Sequence, residues 1–337
     1  MENTAKSVRE IGILSVCHAG VDFLCALAVY GRFMDTVPYV FFIYNFCAFA
    51  LQMPLGVVLD AWTEKSGHDA YPGLVFTLAG IGLTILGTFA GPVILGLGNA
   101  LFHVGGGVLT IQQDRLSGFA GRGLGVFVAP GAVGLCLGML WGKQPYAGLL
   151  KAGMAAVLFL LSALLCRKRE QVSYTPETRK ENHLGEVMLG AFLVVILRSY
   201  VGIAAGFAWK LGFAAILLSA VCAALGKAAG GFLSVSLGQK RMVILTLGIS
   251  CLAALFSRFM GAGLLFLLMF NMTMPLTLYL AAEAIPARPG LAFGILTFAL
   301  FLGYVPLLYG YRLPVSTEAL CFLGALLSMG ILVKVSR

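Results

Sequence analysis

The chain has 337 residues, 60% of them hydrophobic and only 11% charged, with a mean hydropathy of +0.95 and a formal net charge of +9. Soluble domains carry about 25% charged residues, so there is too little polar surface here for a water-soluble globule, and the solvent implied is lipid. Membrane spans of roughly 20 apolar residues each would consume most of the length, which excludes a soluble catalytic domain.

The first nine residues are polar and an apolar run begins at Ile11. That run carries His18 and Asp22 and lacks a convincing cleavage site, so it reads as a retained first helix, not a signal peptide. Hydropathy and loop punctuation predict six spans at 11–31, 38–60, 71–90, 92–112, 123–141 and 147–166. A second six follow at 187–207, 211–234, 242–258, 260–282, 290–310 and 316–334. Between the sets lies a charged, proline-containing stretch without an apolar stripe. The expected fold is therefore an all-α polytopic membrane protein of twelve transmembrane helices in two pseudo-symmetric six-helix bundles. Its domains are an N-terminal bundle over 1–166, a linker over 167–186 and a C-terminal bundle over 187–337. The eight cysteines are scattered through apolar runs with no CxxC or Cys/His cluster, which predicts small buried hydrophobes, no disulfide framework, no metal and no cofactor.

Of the 23 Lys and Arg residues, Arg198 and Lys227 lie inside spans, and Arg32, Lys143, Lys151, Lys210, Arg258 and Arg312 fall in loops on one side. The remaining fifteen (23 − 2 − 6) lie on the side of the termini and the linker. Positive loops stay in the cytoplasm, so both termini and the linker are expected there, with the chain multi-pass in the inner or plasma membrane. The basic balance thus encodes orientation, and no nucleic-acid partner is implied.

Ionisable groups at mid-span are costly in lipid and mark function. His18 and Asp22, four apart, share one face of the first helix. Asn99 and His103 lie in the fourth span, Arg198, Ser199 and Tyr200 in the seventh, and Asn271 and Thr273 in the tenth. Arg198 maps through an offset of 175 to position 23, beside Asp22, so the halves present opposite charges at related points, as a central ion pair requires. Lys227 lies toward the cytoplasmic end of its span and reads as a snorkelling side chain, with Gln52 at the equivalent place in the first half. Asn45, Tyr44 and Tyr304 are candidate borders of the pathway. A metal site on His18 and Asp22 would need further ligands from His103 or Asn99.

Gly56-Val-Val-Leu-Asp60 follows the second span, and Gly231-Phe-Leu-Ser-Val235-Ser-Leu-Gly238-Gln-Lys240-Arg241 follows the eighth, again 231 − 56 = 175 apart. Two parallel repeats around a central path is a transporter plan. These segments resemble the loop motif of the major facilitator superfamily, roughly G-x-L-x-D-x-x-G-[RK]-[RK]. The first copy keeps Gly56 and Asp60 without the basic run, and the second keeps Gly231, Gly238, Lys240 and Arg241 with Val235 in place of the acid. Gly125-xxx-Ala129-Pro130-xx-Val133-Gly134 resembles that superfamily's antiporter motif. His18-xxx-Asp22, Gly98-Asn-Ala-Leu-Phe-His103 and Leu197-Arg198-Ser199 resemble fosmidomycin-resistance-type efflux proteins.

The resemblance implies a monomeric secondary transporter working by alternating access, with helices one, four, seven and ten lining its cavity. It implies proton-coupled antiport exporting a small organic solute. The fourth helix has Pro92 and Val93 where proton-coupled relatives carry an arginine, so Asp22 with His18 is the expected proton relay. A second reading is uptake of a small anionic solute anchored by Arg198 and aided by Lys227. A membrane enzyme would need its reactive groups near an interface, and a receptor or scaffold derived from a carrier is the remaining class.

Overall fold

The computed structural model describes residues 2–67, 71–166 and 184–336, and among them every regular element is helical. The twelve membrane-length helices are α1 (Thr4–Thr36), α2 (Val40–Lys65), α3 (Tyr71–Ala90), α4 (Pro92–Leu116), α5 (Arg122–Trp141) and α6 (Ala147–Cys166). The second set is α7 (Leu184–Ala204), α8 (Gly212–Ser236), α9 (Gln239–Leu255), α10 (Met260–Ala284), α11 (Pro289–Leu308) and α12 (Thr317–Val335). Eleven are long and apolar enough to cross a bilayer, and α9, at 17 residues, is the short twelfth. Each expected span falls on one helix. Most of the expected linker lies outside the described residues, and its last three positions already belong to α7.

In lipid, apolar surface alone does not drive helices together, so close packing depends on small residues. Glycines supply it here. Added Cβ atoms at Gly134 and Gly138 would run into the α1 backbone at Ala19 and Phe23, and Gly142 abuts Gly31. This stripe seats α5 against α1. Gly80, Gly87, Gly98 and Gly105 interlock α3 with α4 in the same way.

The two motif glycines mark the crossings between the halves. Gly56 of α2 lies against Gly290 of α11, and Gly231 of α8 lies against Gly121 and Gly125 of α5. Beside the first crossing, the Asp60 carboxylate accepts from Gly290 N and Leu291 N, both at 2.8 Å. It thereby satisfies orphan donors at the α11 N-terminus. Beside the second, Asp114 of α4 accepts from Gly121 N and Gly123 N at the α5 N-terminus. An acid thus caps the helix at each crossing, even though the second motif copy has Val235. Arg115 adds a third tie, donating to Ala282 O at 2.7 Å and Pro286 O at 3.0 Å while facing Glu283 at 3.6 Å. All three polar ties lie at the end of the bundle that bears the termini. Gly238 starts α9 with φ +82, a left-handed position suited to glycine, and Lys240 and Arg241 sit exposed in the first turn that follows.

Candidate functional site

A cavity of about 540 Å³ lies between the halves. Its lining comes from α1, α2, α4, α5, α7, α8, α10 and α11, with no residue from α3, α6, α9 or α12. The expected lining helices one, four, seven and ten are present, joined by the four helices of the crossings. At the end away from the termini the lining reaches Ile203, one residue from the end of α7, and Tyr304 of α11. The α2 wall is turned inward by a π-bulge at Phe46–Ala50, between Asn45 and Gln52, both of which line the cavity.

One wall carries a buried polar cluster. His18 Nε2 stands 3.2 Å from Asp22 Oδ2 and 2.9 Å from His103 Nε2, and His103 Nε2 is 3.6 Å from Asp22 Oδ1. Asn99 Nδ2 donates to Asp22 Oδ1 at 3.2 Å. The far nitrogens of both rings are committed: His18 Nδ1 meets Phe127 O at 2.8 Å, and His103 Nδ1 meets Asn99 O at 2.9 Å. A carbonyl only accepts, so both Nδ1 atoms carry hydrogens and, in neutral rings, both Nε2 atoms are acceptors. Three acceptors therefore converge on one point, which calls for a positive charge between them.

A proton or a metal ion can supply that charge. The ligand atoms of His18, Asp22 and His103 lie within 4.8 Å of one another, so a divalent ion is geometrically possible. Two donors about 2.0–2.1 Å from a tetrahedral metal ion stand about 3.4 Å apart. The 2.9 Å separation of the two Nε2 atoms is instead a hydrogen-bond length, suited to a shared proton. Gly131 of α5 lies directly over the cluster, where an added Cβ would strike His18 Nε2 and Asp22 Oδ2. Sequence reasoning missed Gly131. The signal was available, since 131, 134 and 138 continue one glycine face of α5 beside Pro130.

The second half contributes Arg198 of α7 and Lys227 of α8 to the lining. Arg198 is only 8% exposed. Among the described residues it has neither a hydrogen bond nor an ion pair, and Lys227 has none either, although Lys227 feels the charges of both Arg198 and Asp22. The expected Asp22–Arg198 pair is not formed, because the Asp22 oxygens are taken by the two histidines and Asn99. Nor does Lys227 snorkel. Gly226 and Gly230 press α8 against the α10 backbone at Leu268 and Met272, and that rotation turns Lys227 into the cavity.

Asn271 lines the cavity, as do Tyr44, Asn45 and Tyr304, while Asn99 is fully buried behind Asp22. Tyr200 is not part of the lining; its hydroxyl accepts from Leu313 N at 2.8 Å near the α12 end of the fold. Pro130 and Gly134 act through α5 packing, as described above. No cysteine forms a disulfide, and Cys25 Sγ sits 3.5 Å from Asn99 Nδ2.

Among the described residues, twelve helices surround a central cavity, the fold also seen in major facilitator superfamily transporters. Over 99% of this chain and 98% of that one, the structure is similar to the fucose:proton symporter FucP of E. coli, with a TM-score of 0.64 and 13% identity. It is similar to a bacterial homologue of the iron transporter ferroportin in an outward-facing state (TM-score 0.63, 15% identity, 99% of each chain). The human organic anion transporter MFSD10 is a third such structure (TM-score 0.63, 16% identity, 96% and 99% covered). No protein-family model and no curated protein matches the sequence. At these identities the likeness establishes the fold.

Proposed function

We propose that the protein is a proton-coupled secondary transporter that carries a small organic solute by alternating access. It works as a monomer in the inner or plasma membrane, with both termini cytoplasmic. The observation that carries this reading is the His18–Asp22–His103 cluster. It sits at mid-helix depth on a cavity wall and gathers acceptor atoms around a place for one proton. Ionisable groups of this kind inside a membrane protein mark substrate or ion pathways and proton relays. With the terminus-bearing end tied by Asp60 and Arg115, we read the state as outward-facing, and reorientation requires those ties to open.

Export by exchange is the expectation from the α5 motif and from the likeness to fosmidomycin-resistance-type efflux proteins. In this fold those glycines serve α1–α5 packing and the α5–α8 crossing, which carry no information on direction. Charge in the cavity is the better guide. A proton held by the cluster adds positive charge to a cavity that already holds two cations, which supports uptake of an anionic solute. In proteoliposomes with an imposed pH gradient, the protein should accumulate at least one labelled small solute. Asp22→Asn should abolish that accumulation and leave gradient-free exchange intact. Equal accumulation by the variant would overturn the proton role of the cluster.

A further inference from the structure

We propose that the solute is a small organic carboxylate with an apolar body, its carboxylate held by Arg198 and Lys227. This inference rests on the transporter reading above and names the substrate class of that same cavity. A buried cation with no anion nearby is costly, and the missing partner must come from outside the chain. Arg198 is buried and unpartnered among the described residues. The one carboxylate that lines the cavity, Asp22, is already engaged by His18, His103 and Asn99. Lys227 feels the charge of Asp22 as well as that of Arg198, so the counter-charge still missing is that of Arg198, and the solute supplies it.

The number of free donors narrows the chemistry. Neutral amides on the cavity wall each give one hydrogen to a backbone carbonyl of their own helix: Asn271 to Leu267 O at 2.8 Å, Gln52 to Ala48 O at 2.6 Å and Asn45 to Phe41 O at 2.6 Å. Ser199 donates to Leu300 O at 2.6 Å, and Thr277 and Thr297 bond within their own helices. Among the lining residues the guanidinium and the ammonium are the donors that carry a full positive charge and make no bond of their own. Two cationic donors match the two oxygens of a carboxylate, for which arginine's planar fork is suited. A phosphate ester would set more charge and more hydrated oxygen against the apolar wall than a carboxylate does, and a polyol would leave the cations without a counter-charge. The rest of the wall is apolar, with Phe41, Phe49, Phe301 and Met274 facing the space. That surface suits an alkyl or aryl body.

The proton and the carboxylate then load together. A proton on the cluster adds positive charge to the cavity that holds the bound anion, so each strengthens the binding of the other. The coupling this arrangement supports is symport.

The test uses the purified full-length protein in detergent, with acetate, hexanoate, benzoate and phenylpyruvate as probes. Controls are the matching amides, phenethylamine and glucose. At least one of the three larger carboxylates should bind and raise the melting temperature, acetate should bind at least tenfold more weakly, and the controls should do nothing. Arg198→Gln and Lys227→Gln should each weaken binding at least tenfold, and Arg198→Lys should recover only part of the loss. Should the variants fail to fold, phenylglyoxal labelling of the wild type reads the same contact, because the bound carboxylate should protect Arg198. Binding that is unchanged in Arg198→Gln, a preference for an amide, amine or sugar, or no carboxylate binding with Arg198 unprotected would overturn the assignment. Asp22→Asn separates this inference from the proton reading: it should still bind the carboxylate, and only its gradient-driven accumulation should fail.

Discussion

His18 and His103 point their Nε2 atoms at each other across 2.9 Å, although each ring has already given its Nδ1 hydrogen to a backbone carbonyl. Two lone pairs held at that distance repel, and Asp22 at 3.2 and 3.6 Å adds negative charge to the same spot. One proton turns the repulsion into a hydrogen bond. The contact joins α1 to α4 and the Phe127 carbonyl joins both to α5, so loading the proton changes how three helices of one half are held together.

Gly131→Ala places a methyl group against His18 and Asp22. We expect a folded protein whose gradient-driven transport falls at least tenfold. Gly153→Ala, where an added methyl group meets nothing within 4 Å, should transport normally. Equal activity in the two variants, measured in proteoliposomes, would remove the steric basis of the argument.

Gly134→Ala tests packing rather than chemistry. Its methyl group would meet the Ala19 carbonyl of α1, and neither helix backbone can yield cheaply. The expected loss is about 1–3 kcal/mol, read as a lower melting temperature in detergent, against a near-neutral Gly153→Ala.

Asp60→Ala removes the carboxylate that accepts from Gly290 N and Leu291 N. Loss of a helix cap costs about 0.5–2 kcal/mol, and here the cost falls on the state in which the terminus-bearing end is closed. Spin labels at Lys65 and Lys240, both exposed on that end, should show a larger population of long distances by pulsed electron resonance. Arg115→Ala should shift the same distribution in the same direction, because its bonds to Ala282 and Pro286 are a parallel tie.

The twelve spans were readable from hydropathy because lipid demands long apolar runs, although the first helix (Thr4–Thr36) extends seven and five residues beyond the expected 11–31. His18 with Asp22 was readable because a spacing of four sets both on one helix face. What hydropathy does not carry is the rotation of one helix against another. The His18–His103 contact, the absence of an Asp22–Arg198 pair and the inward turn of Lys227 all depend on it. In each case glycine contacts fix that rotation, Gly226 and Gly230 for Lys227 and the α5 stripe for His18. Asp114 as the second helix cap was hidden for a related reason, since it replaces the motif acid from a different helix.

Protonation favours anion binding, so anion binding must favour protonation. Affinity for the carboxylate should therefore fall as pH rises through the titration of the cluster, and stay flat in a His18→Ala/Asp22→Asn/His103→Ala variant. Binding isotherms across pH 4 to 9, a range of about five decades in proton concentration, check the sign.

The most direct measurement is proton uptake on binding. Purified protein in weakly buffered detergent solution with a pH indicator should take up close to one proton for each carboxylate bound, and Asp22→Asn should bind while taking up far less. Binding with no proton uptake by the wild type, or uptake undiminished in Asp22→Asn, would contradict the account.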